Sequence, residues 1–525
     1  MRDVIIVGSG PAGTSAALQL AGSDVLMLDV GFTPLQMPQA FCGDLYKLRK
    51  THPDLFPSLI GQNFESLVNL FVDRKVNLKL KSPYMSYIIQ NWRTLAPIIS
   101  DRFEGIVSLA KGGLANAWGA GVYRFTDADL NGFPINYSDL SPYYDELTRH
   151  LGVSGANDDL VPWFHNDDDL MAPIRLCGMA ADLLERYEKK RRTFNDQGTF
   201  IGRARLAVLT SAHRGRLPYA YEHMEFFLPG IEAVYTPAFT LDELIREGRV
   251  DYRPGWLVER FAETEGGIDV YARPVAGGEI RSFRSRKLLL GAGALNTARI
   301  VLSSAGDMQA RLPIMDNRMA CFPVFRLDRL GMAIEPEDAS VGQLNIVCEG
   351  VEGSGAVQAT FYGTNGPLRT DVIGDLPFPV RAARTLLKHT ASATALTMLF
   401  YPGMVRPENY LCLMENGTLN INYLPQSHTH LLEHKLIRLF RKVGYYSHPA
   451  LLQYPPVGSG LHYAGMLPMR KNPGHYECYP NGRLAGACGV YIIDGACFSA
   501  LPSKNLTFTI MANAMRIARF ASGDI

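Results

Sequence analysis

The amino-terminal segment contains two short apolar runs separated by a glycine-rich turn and a helix-forming stretch. Asp3 to Val7 is apolar and β-branched, Pro11 to Leu20 favours a helix, and Asp24 to Asp29 is apolar again. Apolar runs of this length, bounded by glycine or polar residues, are typical of buried strands. The pattern predicts a β-α-β unit.

A similar arrangement returns in the middle of the chain. From Gly230 to Leu302 short apolar runs alternate with turn signals such as Glu265-Gly266-Gly267, which predicts a β-meander. Arg286 to Leu290 then predicts a strand, and Ala294 to Leu302 predicts a helix after a glycine turn. The chain therefore contains two strand-glycine-helix junctions, the signature of an α/β fold.

Three other segments carry clear local patterns. Leu411 to Met414 and Thr418 to Tyr423 predict a hairpin turning at Asn416-Gly417, and we expect it in an antiparallel sheet on the substrate side. His434 to Tyr445 has helical spacing of Leu and Ile, which predicts an amphipathic helix packed on that sheet rather than a membrane-surface element. Pro142 suits the first turn of a helix.

Composition narrows the class of protein. The chain has 525 residues, 47% of them hydrophobic and 20% charged, as in ordinary globular proteins. Lys and Arg number 52 against 51 Asp and Glu, so the chain has almost no net positive charge that would attract nucleic acid. No apolar run is long enough to span a bilayer, and because the first strand begins almost at the initiator Met, we expect no secretion signal. With scattered cysteines and no C-x-x-C, we expect a cytoplasmic protein without membrane insertion.

The first turn carries a G-x-G-x-x-G fingerprint between strand and helix, formed by Gly8, Gly10, Pro11, Ala12 and Gly13 around Ser9. The first glycine permits a tight turn, the second lets the backbone approach a pyrophosphate, and the third lets helix and strand pack closely. Asp29 ends the second strand, where its carboxylate can accept hydrogen bonds from ribose hydroxyls. These residues predict a dinucleotide site, and they leave FAD and NAD equally open.

Segments at both ends of the chain resemble the glucose-methanol-choline (GMC) oxidoreductases. The resemblance rests on a Gly-Gly segment, Lys111 to Trp118; on a helix resembling W-x-x-x-x-L-x-P-Y-Y, Ile135 to Tyr144; and on the strand and turn from Lys287 to Arg299. At the carboxyl-terminal end it rests on His462-Tyr463-Ala464-Gly465, on Gly489 to Ala496, and on Pro502 to Ala512. Met466 replaces a usual Thr, and Leu506 a common Pro.

The resemblance implies an α/β fold with a Rossmann-type FAD-binding domain, of the kind shared with p-hydroxybenzoate hydroxylase, and an interleaved α+β substrate domain on an antiparallel sheet. We expect the FAD domain at 1–150, 225–305 and 455–525, and the substrate domain at 151–224 and 306–454. The cofactor residues implied beyond the first turn and Asp29 are Gly112, Gly113, Asn116, Ala117, Val258, Gly291, Ala292, Asp494, Gly495, Asn505 and Thr507. Ala117 stands where some relatives carry a histidine bonded to the flavin, so the resemblance implies non-covalent FAD.

The implied reaction is oxidation of a CH–OH group to a carbonyl, with His462 as the base and Asn505 orienting the substrate oxygen. A neutral imidazole can take a hydroxyl proton near pH 7, and an amide can hold the oxygen by hydrogen bonds. The partners expected are a small-molecule alcohol, sugar or metabolite-like, and dioxygen or another electron acceptor. A biosynthetic flavoenzyme performing desaturation, cyclisation or lyase chemistry is the alternative, and a nicotinamide dehydrogenase or a flavin-free binding protein also stays open.

Three histidines, His428, His430 and His434, have a spacing that a metal site could use. They stand in a polar segment that leads into an exposed helix, so we expect solvated side chains and no metal. The sequence leaves the substrate's identity and the oligomeric state open.

Overall fold

A computed structural model describes the chain over residues 1–36, 45–55, 57, 58, 61, 78–221, 228, 230–333, 341–351, 355–363, 379–425 and 429–523. Its strands are β1 (Arg2–Val7), β2 (Val25–Leu28), β3 (Ile98–Ile99), β4 (Thr199–Arg203), β5 (Asp251–Arg253), β6 (Trp256–Thr264), β7 (Gly267–Pro274), β8 (Arg281–Leu290), β9 (Leu312–Pro313), β10 (Met315–Asp316), β11 (Met319–Phe325), β12 (Gly342–Val351), β13 (Gly355–Gly363), β14 (Thr394–Phe400), β15 (Tyr410–Leu413), β16 (Leu419–Asn422), β17 (Tyr463–Ala464) and β18 (Val490–Ile492). Its α-helices are α1 (Pro11–Gln19), α2 (Leu45–Thr51), α3 (Trp92–Leu95), α4 (Tyr137–Leu151), α5 (Val161–Phe164), α6 (Gly178–Lys189), α7 (Arg191–Asn195), α8 (Pro237–Arg246), α9 (Ala294–Ala305), α10 (Val380–Thr390), α11 (Leu431–Lys442) and α12 (Thr507–Gly523).

The first sheet runs β5-β2-β1-β8-β7-β6, and β18 also pairs with β8. β1 pairs in parallel with both β2 and β8, while β6, β7 and the first half of β8 form an antiparallel meander. The predicted β-α-β unit, the meander and the second strand-glycine-helix junction are therefore confirmed. Because β1, β2 and the end of β8 are parallel, the turns that follow them meet at one edge of the sheet, where ligands bind in such folds.

The second sheet is antiparallel, with the order β11-β14-β13-β12-β4. It has its own hydrophobic core, to which α6 and α11 contribute Leu183, Leu436 and Phe440. The predicted amphipathic helix is present as α11, and its buried face packs into this core. The α/β fold with a second, antiparallel layer is thus the one that the sequence predicts.

The predicted hairpin forms, but in a different place from the one expected. β15 and β16 pair around the Asn416-Gly417 turn and join β3 and β9 in a separate sheet. Leu411, Leu413, Leu419 and Ile421 pack into the first core rather than the second. Local sequence specifies a hairpin because the turn is local, whereas the face on which it packs depends on distant residues.

The helix around Pro142 begins earlier than the sequence analysis expected. Asn136 caps α4, and its side chain accepts a hydrogen bond from the amide of Asp139, whose carboxylate accepts one from the amide of Asn136. This capping box satisfies amides of the first turn, so Pro142 lies inside the helix instead of at its start. α12 packs against both α1 and α4.

No helix in the described ranges is long and apolar enough to cross a membrane. The cysteines described there form no disulfide, and Cys42 lies outside the described residues.

Candidate active site

One cavity of about 1480 Å³ extends from the first turn of the chain to the second sheet. Typical single-ligand pockets measure roughly 300–1,000 Å³. The cavity therefore has room for a dinucleotide and a second small molecule. The predicted site residues on its wall are Gly8, Gly10, Pro11, Ala12, Asp29, Gly113, Ala117, Val258, Gly291, Ala292, His462, Asp494, Gly495, Asn505 and Thr507.

The glycine turn has the geometry that a pyrophosphate requires. Gly8 has a φ of +94°, and a Cβ atom there would lie 2.6 Å from the carbonyl oxygen of Gly291. Gly10 and Gly113 face each other, since a Cβ on Gly113 would lie 3.2 Å from the Cα of Gly10. No side chain caps α1, so the amides of its first turn are available to an anion.

The third glycine of the fingerprint acts through packing. A Cβ on Gly13 would lie 1.9 Å from the carbonyl oxygen of Gly8, so only glycine lets the helix lie this close to the turn. Gly13 is absent from the described cavity wall. Its contribution to the site is the close contact of helix and strand.

Asp29 is held by two hydroxyl groups. Its Oδ2 accepts hydrogen bonds from the Ser9 hydroxyl and, at 3.1 Å, from the Tyr252 hydroxyl. The Ser9 hydroxyl also accepts a hydrogen bond from the amide of Gly112 at 3.1 Å. Burial raises the pKa of Asp29 to about 7, against the opposing effect of these hydrogen bonds. The sequence does not predict Ser9 and Tyr252 as partners of Asp29, because a single hydroxyl residue forms no recognisable motif.

Asn116 and Gly112 support the turn that borders the cavity. The Asn116 side-chain amide donates to the carbonyls of Lys111 and Gly113, at 3.0 and 2.8 Å. Neither Gly112 nor Asn116 is part of the described cavity wall, whereas Gly113 and Ala117 are. The structure thus places two of the four predicted residues of this segment behind the wall that the others form.

The end of the cavity at the meander is formed by β6 and the turn before α9. The β6-β7 ladder shifts register between Val258 and Arg260, so Glu259 is an extra residue in a bulge. A bulge disrupts the ladder locally, and it does so here beside Val258. The amide of Ala292 donates to the Thr297 hydroxyl at 3.2 Å, which fixes the turn after Gly291.

Asp494 links the segment after β18 to the helix α9 that follows the second glycine turn. It accepts hydrogen bonds from the Thr297 hydroxyl at 2.5 Å and from the amide of Ala496 at 2.9 Å. Burial raises the pKa of Asp494 to about 6. Thr507 opens α12 at the cavity, whereas the Thr509 hydroxyl hydrogen-bonds to that of Tyr144 at 2.7 Å and faces α4.

His462 presents a neutral imidazole to the cavity. Its Nδ1 is buried without a hydrogen-bond partner among the described residues, and its ring centre lies 5.1 Å from that of Phe400. Burial lowers the pKa of His462 to about 4. The ring is therefore uncharged at neutral pH and has a nitrogen able to accept a proton.

Asn505 lies on the same wall, and its amide makes no side-chain hydrogen bond to the described protein groups. The two residues before it are anchored: Lys504 donates to the carbonyl of Trp163 at 2.5 Å and to Asp129, and Ser503 donates to the carbonyl of Ala356 at 2.8 Å. The backbone is thus fixed while the amide stays available to a ligand.

Asn317 connects these two residues, although nothing in the sequence predicts this role. Its backbone amide donates to the carbonyl of His462 at 3.1 Å. Its side-chain amide donates to the carbonyls of Tyr401 and Pro502, at 2.7 and 2.9 Å. One buried residue therefore fixes the loops of both catalytic candidates. No motif could have revealed it, because all of its partners are distant in sequence.

Of the three histidines considered for a metal, two lie among the described residues. The rings of His430 and His434 have centres 6.4 Å apart, and His428 lies outside the described residues. No group of three or more potential ligands occurs among the residues that the structure describes.

Solved structures with the same architecture are known. Pyridoxine 4-oxidase from Mesorbium loti matches with a TM-score of 0.61 at 13% identity, covering 99% of each chain. Two single-residue variants of formate oxidase from Aspergillus oryzae RIB40, studied for FAD modification, match with TM-scores of 0.62 and 0.61 at 12% identity, covering 100% of this chain and 98% of theirs. The chain has the fold of the GMC oxidoreductases.

The GMC fold is shared over the full length of both oxidases despite the low identity. No family model matches the sequence, and no curated protein is detectably similar to it. The GMC resemblance seen in short motifs is thus confirmed at the level of the fold. In the GMC fold of this chain, the glycine turn and the His462-Asn505 pair border one cavity.

Proposed function

We propose that this chain is an FAD-dependent oxidoreductase that oxidises a CH–OH group to a carbonyl. The proposal rests on one observation: His462 and Asn505 line the same cavity as the glycine-rich turn between β1 and α1. FAD bound along that turn would supply the acceptor for the hydride of the alcohol carbon. Ala117 on the cavity wall offers no side chain for a covalent link, which supports non-covalent binding.

The residues that would hold FAD fit its parts. The uncapped start of α1, with Gly10 and Gly113, would receive the pyrophosphate. Asp29 would accept ribose hydroxyls, and the bulge at Val258 would leave its backbone to the adenine. Asp494, Gly495 and the start of α12 at Thr507 would border the other half of the cofactor.

His462 would remove the hydroxyl proton while the hydride leaves the carbon. The ring is neutral near pH 7 because burial disfavours its charged form, so it accepts the proton without prior deprotonation. Asn505 would donate a hydrogen bond to the alcohol oxygen and hold it beside the imidazole. A base positioned in this way contributes roughly 10²- to 10⁴-fold to the rate.

The name oxidase is common to the two solved neighbours, which makes dioxygen the first electron acceptor to test. A cytoplasmic location stays a prediction from the sequence.

The first test combines the visible spectrum with anaerobic reduction. Purified protein should be yellow and should release its flavin on acid precipitation, and alcohols should bleach the native spectrum. His462→Ala should slow that bleaching by about 10²- to 10⁴-fold, with partial rescue by added imidazole, while the exposed control His389→Ala should react normally. A colourless protein that takes up no FAD would refute the proposal, and a yellow protein that no alcohol reduces would favour other flavin chemistry.

Asn505→Ala supplies a second test. Loss of a hydrogen bond to a developing alkoxide costs about 1.5–3 kcal/mol, or about ten- to a hundredfold in the reduction rate. Flavin content should be unchanged in this variant. An unchanged rate would remove Asn505 from the reaction.

A further inference from the structure

The second sheet contributes an apolar wall to the cavity. β11 and β14 are antiparallel neighbours, and three cross-strand pairs lie on the cavity: Met319 opposite Phe400, Cys321 opposite Met398, and Pro323 opposite Leu396. Residues directly opposite each other share one face of a sheet. These six side chains, here called the sheet wall, carry no charged group and no hydroxyl or amide.

Three polar residues on the same face, Asn345, Gln358 and Thr360, are closed off from the cavity, whereas Tyr362, directly opposite Leu396, also lines it. Asn345 and Thr360 lie in one cross-strand row with Met398. The Asn345 side-chain oxygen accepts hydrogen bonds from Thr360 at 3.2 Å and Gln358 at 3.3 Å, and its amide donates to the Tyr123 hydroxyl at 2.8 Å. Tyr123, Asn345, Gln358 and Thr360 are all buried, and none of the four is on the described cavity wall. They bond to each other instead of to a ligand.

The hydroxyls near the catalytic pair are also occupied by protein groups. The Ser459 hydroxyl donates to the carbonyl of Pro456 at 2.5 Å, and the Tyr454 hydroxyl donates to Glu433 at 3.4 Å. Leu451 and Leu461 lie on the same part of the wall. Gln453 of this segment and Tyr362 of the sheet also line the cavity. A ligand between the segment and the sheet wall would thus meet mainly hydrocarbon, with these two as its polar neighbours, until it reached His462 and Asn505.

Charged side chains lie elsewhere on the cavity. Five charged residues among the described lining residues lie away from the sheet wall: Asp29, Glu259, Arg260, Arg299 and Asp494. Lys79 also lines the cavity, and its ammonium group donates to the carbonyl of Trp118 at 3.4 Å, beside the segment of Gly113 and Ala117. The sheet wall itself thus offers no ionic partner to a substrate.

We propose that the substrate is a bulky, uncharged, apolar alcohol, of arylalkyl or long-chain type, whose hydroxyl alone meets the catalytic pair. This inference rests on the proposed alcohol oxidation. Burial of each methylene against the sheet wall favours binding by about fourfold. A sugar would instead leave several hydroxyls facing hydrocarbon, where a buried unpaired polar group is strongly disfavoured.

The kinetic test uses flavin reduction by alcohols of increasing apolar size, compared with glucose and choline. We expect kcat/KM to rise about fourfold per added methylene until the wall is filled, and the sugar and the cation to react poorly. Met398→Gln keeps the length of the side chain but adds an amide, so it should flatten this dependence on chain length. Met308→Gln, at an exposed position outside the cavity, should keep it. Preferential oxidation of glucose or choline would overturn the inference.

A binding measurement separates this inference from the proposed reaction. Calorimetry on the flavin-loaded protein would compare ethylbenzene and naphthalene, which have no hydroxyl, with glucose. Binding of the hydrocarbons, weakened by Met398→Gln and unaffected by Met308→Gln, supports an apolar pocket even if no alcohol reduces the flavin. If glucose binds and the hydrocarbons do not, the inference is wrong whatever the reaction is.

Discussion

At the scale of the residue, the surroundings of His462 decide its chemistry more than its residue type does. An exposed histidine titrates near pH 6.5. Here burial lowers the pKa to about 4, and no carboxylate among the described residues shares a hydrogen bond with its Nδ1. The imidazole therefore stays neutral over the whole physiological range, as a proton acceptor must.

This environment predicts a pH dependence. kcat/KM for flavin reduction should be constant from about pH 5 to 7 and fall as pH drops through about 4, where His462 becomes protonated. Stopped-flow reduction at low substrate concentration would measure it. An inflection near pH 6.5 would show that the ring is solvated.

The lowered pKa of His462 also makes the free energy of unfolding depend on pH. Between about pH 4 and 6.5 the unfolded chain binds the proton and the folded chain does not, so the free energy of unfolding should rise with pH through that window. His462→Gln should remove this part of the dependence, as seen in thermal melts at several pH values.

At the scale of the element, two very short strands align the catalytic candidates. β10 pairs with β17 through Met315 and Ala464 and through Asp316 and Tyr463, directly after His462. Asp316 also accepts a hydrogen bond from the amide of Gly458 at 2.8 Å. This ladder and Asn317 hold the His462 loop from both ends, so rigid backbone positions the imidazole.

Asn317→Ala tests how the same residue fixes the Asn505 loop, since its backbone amide can still donate to the carbonyl of His462. It removes the side-chain hydrogen bonds to Tyr401 and Pro502, so the reduction rate should fall by about tenfold or more with flavin content unchanged. In an Asn505→Ala background the same change should have a much smaller effect, because the lost bond to Pro502 acts through the Asn505 loop and residues that act together are not additive. Asn422→Ala, which removes an exposed amide-to-carbonyl bond of 2.7 Å outside the cavity, is the matched control. Full additivity would mean that Asn317 is merely structural.

At the scale of the whole molecule, one cavity joins the dinucleotide turn of the first sheet to the sheet wall of the second. A cofactor that bound only the folded chain would stabilise it by mass action. FAD should therefore raise the melting temperature of flavin-depleted protein in a concentration-dependent way.

Gly10→Ala separates cofactor binding from folding. Gly10 has an ordinary φ of −70°, and the nearest atom to an added Cβ is 3.9 Å away, so the flavin-free protein should melt normally. The methyl group would enter the space that a pyrophosphate needs, so more FAD should be required for the same rise in melting temperature. Gly523→Ala, which meets no neighbouring atom, should respond like the unaltered protein. An equal FAD response of Gly10→Ala would place the pyrophosphate elsewhere.

The sequence by itself determined the features whose cause is local. Gly8, Gly10 and Gly13 specify the turn, Asn416-Gly417 specifies the hairpin, and the strand runs are specified by contiguous apolar residues. His462 and Asn505 could be proposed as candidates because each stands in a short, recognisable segment, and both line the cavity. In each case the physical reason lies within a few residues of the chain.

Tertiary structure decided what depends on contacts between distant residues. Tyr252 reaches Asp29 across 223 positions of sequence, and Asn317 reaches Pro502 across 185. The hairpin's packing face, the neutral state of His462 and the sheet wall likewise arise from burial by other segments. Hydrogen bonding and desolvation depend on which groups are close in space, and a linear pattern records only which groups are close along the chain.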